Sequence, residues 1–205
     1  MEERVEKTMK SLQRHGFDVR YCQSRTEVNG LIGEFVQPGA VVGFGGSMTI
    51  KELETAAYLR DLGAIIIDHN QPGLSAEEKD RLRHQELGCD VFLTSSNALT
   101  EHGELLNVDG AGNRVAAMMF GPKKVVIVCG VNKIVPDLDA AYERVRAIAA
   151  PKNNVRLDTG NPCTKAGRCV DCQGEGRICN LVTIMSRKPM ATDVTIIIVD
   201  EALGY

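Results

Sequence analysis

Nowhere do lysines and arginines gather into an arm or a run, and 24 of them against 27 acidic residues leave a net charge of -3. A surface of that kind cannot neutralise a phosphate backbone, which excludes nucleic acid as a partner. No apolar run approaches the roughly 18 residues that cross a bilayer. The first residues, Met-Glu-Glu-Arg-Val-Glu-Lys, read as a charged helix and not as a secretory leader. These absences predict a cytoplasmic protein with no membrane insertion. Internal repeats and low-complexity tracts are also missing, as are the Gly-Lys-Ser/Thr ending of a P-loop and the Gly-x-Gly-x-x-Gly dinucleotide fingerprint.

What is present suffices for a folded unit. A chain of 205 residues with 43% hydrophobic content can bury a sizeable core, and the expectation is a single α/β domain over 1–205 with a Cys-rich loop at 160–180. Apolar spacing predicts a helix over 2–14, closed by Gly16, and a short strand over 17–22. Ser24-Arg-Thr-Glu27 has the capping-box pattern for a helix reaching Val36. Strands at 40–44, 64–67, 90–94, 124–129 and 194–199 then alternate with helices at 49–60, 75–87, 113–119 and 137–150. A further strand is expected near 155–157. This rhythm predicts a mainly parallel sheet with helices on both faces, whose ligands bind beyond the strand C-termini.

Four of the seven cysteines fall between Cys163 and Cys179. Gaps of five, two and six residues separate Cys163, Cys169, Cys172 and Cys179, and interspersed glycines let the segment fold back on itself. A thiolate set of this kind points to a metal centre, either Zn²⁺ or an iron–sulfur cluster, and the spacing alone does not choose between them. The alternative is a disulfide-bonded or simply reduced surface loop with no metal. The remaining cysteines, Cys22, Cys89 and Cys129, lie in or beside apolar strands and are expected to be buried thiols.

Val42-Gly-Phe-Gly45-Gly46-Ser47-Met-Thr49 joins a strand to a helix, a junction where free backbone N–H groups favour an anion. Gly45 and Gly46 allow a close approach, while Ser47 and Thr49 can cap the helix or donate to the ligand. The polar stretch from Thr94 to Asn113 also follows a strand and is expected to line the same crevice. In it, Glu101 is the candidate nucleophile or general base and His102 the candidate proton shuttle. Asn97, Asn107, Asp109 and Asn113 are candidates for orienting a ligand. His69, beside the Pro72-Gly73 turn, reads as a surface histidine at the same sheet edge.

Gly43-Phe-Gly-Gly-Ser47, Asn97-Ala-Leu-Thr100, Gly103-Glu-Leu-Leu-Asn107-Val-Asp109-Gly-Ala-Gly-Asn113-Arg114 and the Pro-Cys163…Arg-Ile-Cys179-Asn180 ending together resemble the LUD (lactate utilisation protein) family. That resemblance implies a fold similar to ribose-5-phosphate isomerase, glucosamine-6-phosphate deaminase and CoA transferases, the NagB/RpiA/CoA-transferase-like group. In those folds a strand–glycine–Ser/Thr–helix turn holds phosphate or a related anion, and Gly43 to Thr49 occupies the equivalent place. Some family members act with iron–sulfur proteins in bacterial L-lactate oxidation. This chain departs from the larger members, having no segment with two Cys-x-x-Cys-x-x-Cys runs.

Three readings follow from the resemblance and the residues. One is a component of lactate or 2-hydroxyacid oxidation that binds a small anionic metabolite and works with redox partner proteins. Another is an isomerase-like or CoA-transferase-like enzyme on a phosphorylated or acyl-CoA substrate, with Glu101 or Glu104 as base or nucleophile. The third is a noncatalytic sensor or assembly subunit whose cysteine loop is a zinc staple. A homodimer is compatible with all three. Residues alone do not decide between catalysis and binding.

Overall fold

Val and Ile runs without polar alternation need cover on both faces, and the computed structural model, which describes residues 1–205, places them in a parallel sheet. The first half of the chain contains α1 (Glu3–Arg14), β1 (Asp18–Cys22), α2 (Val28–Gly33), β2 (Val41–Phe44), α3 (Met48–Glu52), α4 (Thr55–Asp61), β3 (Ile65–Ile67), α5 (Ala76–Glu86) and β4 (Val91–Thr94). Next come β5 (Ala98–Thr100), β6 (Leu105–Asp109), α6 (Asn113–Met119), β7 (Lys124–Gly130), β8 (Ile134–Val135), α7 (Leu138–Arg144), α8 (Ala150–Arg156), α9 (Cys163–Ala166), β9 (Leu181–Met185) and β10 (Asp193–Val199).

Six strands form the main sheet in the order β1-β10-β7-β4-β2-β3, every pair parallel. Along its central strands alternate residues go to opposite faces. Phe92, Val125, Ile127, Ile196 and Ile198 join Leu12 of α1 and Met118 of α6 in one apolar cluster. Leu93, Val126, Val128 and Ile197 join Ile32 of α2 and Leu59 of α4 in the other. The predicted mixed α/β architecture is therefore the observed one. From β2 the chain leaves through α3 and α4 to β3 on one side, then returns through α5 to β4 on the other side. The gap beyond the ends of β2 and β4 is the switch point where open parallel sheets bind ligands.

The sequence does not disclose the second sheet, of order β8-β5-β6-β9. Its strands β5 and β6 form the expected hairpin, and β9 adds to β6 antiparallel. β9 comes straight after the cysteine loop, and its pairing with β6 brings that loop to the same end of the molecule as the switch point. Two local expectations are corrected. The helix over 49–60 is broken, because Glu54 adopts φ 53° between α3 and α4. The strand near 155–157 is instead the end of α8 and its cap. A π turn over Val145–Ala149 links α7 to α8, and Pro151 stands directly after it at the start of α8. The capping boxes at Ser24–Glu27 and Ser75–Glu78 are both formed.

Candidate functional site

The glycine turn after β2 forms one wall of a crevice of about 480 Å³ at the switch point. Gly45, Gly46, Ser47 and Thr49 line it, as the sequence suggested. A Cβ on Gly45 would stand 2.8 Å from Thr94 Oγ1, so the turn needs glycine to pass beside β4. Gly46 has φ +70°. Ser47 Oγ accepts the Ile50 N–H at 3.3 Å and caps α3.

Cations dominate the crevice. Lys133, Arg83, Arg114, Arg156 and Arg177 all line it, against the single carboxylate of Asp109. Lys133 is 3% exposed, and its Nζ donates to Thr49 Oγ1 at 2.9 Å and Ser95 Oγ at 2.8 Å. Neither partner carries charge. Burial pushes its ammonium down to about 8, a shift that Cys129 and Glu52 oppose and the neighbouring Arg144 and Arg114 charges reinforce. Arg83 Nε is buried without any hydrogen-bond partner. A buried cationic N–H left unpaired is costly to the fold.

Arg114 is a strut. Its guanidinium donates to Asn107 Oδ1 at 2.7 Å, Val108 O at 2.9 Å, Ser95 O at 3.2 Å and Asn97 Oδ1 at 3.3 Å. Asn97 Oδ1 also accepts the Val108 N–H at 2.8 Å, and the Asn97 N–H donates to Asn107 Oδ1 at 3.3 Å. These bonds lock the open end of the β5–β6 hairpin against β4. Asn97, Asp109 and Asn113 face the crevice. The buried Asn107 is spent on the strut and lies outside it. Asp109 accepts the Gly110 and Val115 N–H groups, both at 3.1 Å, and thereby holds the start of α6.

Glu101 and His102 do not line the crevice, which corrects the expectation that the whole stretch from 94 to 113 would do so. They sit in the hairpin's closed turn, at the other end of β5 from Asn97. That turn packs on α1. Lys7 Nζ donates to Glu101 Oε2 at 2.9 Å, and a Cβ on Gly103 would come within 2.7 Å of the Ser11 carbonyl carbon. Glu104 Oε2 accepts from Thr100 Oγ1 at 2.6 Å within the same turn.

His69 is the residue the sequence reading undervalued. It is buried, lines the crevice, and its Nδ1 lies 2.8 and 2.9 Å from the two carboxylate oxygens of Glu86. A Glu86 on an otherwise polar helix carries no sequence signal of this partnership. Lys133 was hidden for a similar reason, standing alone between two apolar segments.

The cysteine loop closes one end of the crevice. Arg177, Ile178 and Asn180 line it, while Cys179 between them is half-buried against the apolar cluster of the small sheet. All four loop thiols are free, and Cys169 and Cys172 are partly exposed. Burial raises the Cys163 and Cys179 thiols, and the other thiols of the loop raise them further, so the four sulfurs lie within electrostatic reach of one another. No three of them fall within 4.8 Å of each other. Cys22 and Cys89 are pushed up to about 11 and about 12 by burial, in keeping with their reading as core thiols.

The model of the LUD domain matches residues 5–199. The chain belongs to the LUD domain family. Among solved structures, this LUD domain is similar to a DUF162 family protein from Deinococcus radiodurans, with 17% identity over 96% of each chain and a TM-score of 0.55. It also aligns with eIF2B beta from Chaetomium thermophilum, at 19% identity over 56% of this chain and 44% of that one, with a TM-score of 0.35. No curated protein matches it. No helix of this LUD domain is long and apolar enough to cross a membrane.

Proposed function

We propose that the crevice binds a small anionic metabolite and that the protein is a component of lactate or 2-hydroxyacid oxidation, in line with its family. One observation carries the anion reading. Lys133 is a buried ammonium whose only side-chain partners are two neutral hydroxyls, in a crevice it shares with Arg83. A desolvated cation with no carboxylate in ion-pair contact is expensive for the fold and well prepared for a carboxylate or phosphate. The size of the crevice suits a small metabolite.

Calorimetry with L-lactate, pyruvate and ribose 5-phosphate tests the reading, comparing wild type with Lys133→Met. Binding of the hydroxy- or keto-acid that is lost in the variant supports it. Heat from the sugar phosphate alone favours the isomerase-like alternative, though with Glu101 and Glu104 outside the crevice that enzyme would need another base. Absence of binding by all three compounds removes the anion reading.

In the same proposal Cys163, Cys169, Cys172 and Cys179 hold a metal centre at the end of the crevice. A tetrahedral zinc cage with Zn–S near 2.3 Å separates its sulfurs by roughly 3.8 Å. The loop is more open than that, since no three sulfurs lie within 4.8 Å of one another. An all-thiolate donor set suits either a zinc staple, once the loop closes on the ion, or an iron–sulfur cluster. Such a cluster would supply one-electron transfer next to the ligand. Iron and sulfide analysis after anaerobic purification, with Cys169→Ser as control, decides between cluster, zinc and bare loop.

A further inference from the structure

We infer that His69, oriented by Glu86, is the acid–base residue of the crevice, an inference that rests on the anion-binding reading above. Glu86, at the end of α5, is 1% exposed, and no lysine or arginine pairs with its carboxylate. Its partners are all on His69, namely Nδ1 at 2.8 and 2.9 Å and the backbone N–H at 3.1 Å. A buried carboxylate dedicated to one imidazole fixes the ring and its tautomer.

The fold makes room for this pair. Gly43 lies inside β2, where glycine weakens a strand, and a Cβ there would stand 3.0 Å from Cys89 Sγ and 3.2 Å from both Glu86 Cγ and Phe92 Cδ2. The glycine removes the obstacle to the carboxylate. With Nδ1–H donated to Glu86, the hydrogen-bond network assigns a lone pair to Nε2. Nε2 has no partner within the protein, and His69 lines the crevice, so that lone pair is free for a ligand. Arg83, one helical turn before Glu86 on α5, lines the same crevice, and its buried Nε has no hydrogen-bond partner. A base held by a carboxylate, beside cations that can take up negative charge, is the equipment for removing a proton next to a carbonyl.

The step balances without an oxidant. The C–H bond next to the ligand's carbonyl breaks, and its proton passes to Nε2. The electron pair moves into the carbonyl to give an enolate, whose charge is taken up by the crevice cations, while Glu86 offsets the imidazolium. Returning a proton to the same carbon restores the ligand. The substrate class is thus an anion that carries a carbonyl beside a C–H bond, the anionic group being either a carboxylate or a phosphate.

Proton NMR in D₂O tests this with pyruvate as the carboxylate probe and dihydroxyacetone phosphate as the phosphate probe. Wild-type protein is expected to speed deuterium uptake into a probe it binds by about 100-fold or more over protein-free solution, the usual reach of a positioned base. His69→Asn should lose that acceleration, and Glu86→Gln most of it, with the affinity for the probe kept within about threefold, since neither supplies the cationic contacts. Whichever probe exchanges identifies the anionic group. Nitrogen-15 NMR of the unmutated protein provides a check that does not depend on folding of the variants, because His69 should show protonated Nδ1 and unprotonated Nε2. Bound probe without exchange, or exchange unchanged in His69→Asn, overturns the inference and leaves the anion reading standing. Failure of both probes to bind removes both. Co-purification of a divalent metal that is lost in His69→Asn also overturns it, because Asp68, His69 and Glu86 would then be ligands and Nδ1 could not donate.

Discussion

Lys133 Nζ donates to Thr49 Oγ1 at 2.9 Å, tying the residue that follows β7 to the helix that follows β2. Thr49 in turn donates to Leu203 O at 3.3 Å, so its single proton is spent and its oxygen supports the ammonium. In the proposed anion site the direct ligand donor is thus Lys133 and not Thr49. Removing the charge while keeping the bulk should separate binding from stability. Lys133→Met is expected to weaken anion binding by tenfold or more and to raise Tm by about 2–4 °C, the equivalent of about 1 kcal/mol, because an unpaired buried cation is replaced by an apolar chain. Calorimetry and a thermal melt on the same samples read both effects.

The same ammonium sets a pH dependence. Its folded value of about 8 lies below the ordinary 10.5, so between these values the unfolded chain holds more protons than the folded one. Stability contributed by this group accordingly rises as pH goes from 8 towards 10.5. Anion binding needs the charged form and should move the other way. Affinity is expected to be flat below pH 8 and to fall about tenfold per pH unit above it, and the fall should vanish in Lys133→Met. Titrations between pH 6 and pH 10 would show the break.

The hairpin turn should matter to the fold and not to the ligand. Glu101→Gln breaks a partly exposed pair with Lys7 and is expected to cost under about 1 kcal/mol, with anion affinity unchanged. Gly103→Ala should cost more, about 1–3 kcal/mol, because φ there is +90° and the added methyl meets the backbone of Ser11. Chemical denaturation measures both. A large loss of affinity in Glu101→Gln would contradict the placement of that turn outside the crevice.

Thiol reactivity should divide the cysteines by location. Brief alkylation of the native, metal-free protein near pH 8 is expected to label Cys169 and Cys172 first, since both are partly exposed while burial raises the thiol of the equally accessible Cys179. Cys22 and Cys89, held by burial at about 11 and about 12, should react only on unfolding. Peptide mass spectrometry locates the label. Iron or zinc loading should protect all four loop cysteines together if they share one centre.

Much of this was legible in the chain because it follows from local rules. The apolar runs at Val41–Phe44, Lys124–Gly130 and Asp193–Val199 can only be buried strands, and the Ser24 and Ser75 capping boxes mark helix starts through contacts three residues apart. The glycine turn at 45–47 and the cysteine cluster are equally local, since each declares itself by residue type within a short window. Pairings between distant segments were decided by tertiary structure alone. β9 joins β6 across more than seventy residues and carries the cysteine loop to the crevice. His69 meets Glu86 over a separation of 17 residues, and Lys133 meets Thr49 over 84. A histidine beside Pro-Gly and a lone lysine between apolar segments look like surface residues in one dimension. Burial is a property of the assembled layers, and it is burial that leaves Lys133 without a counter-ion and Glu86 with a single partner.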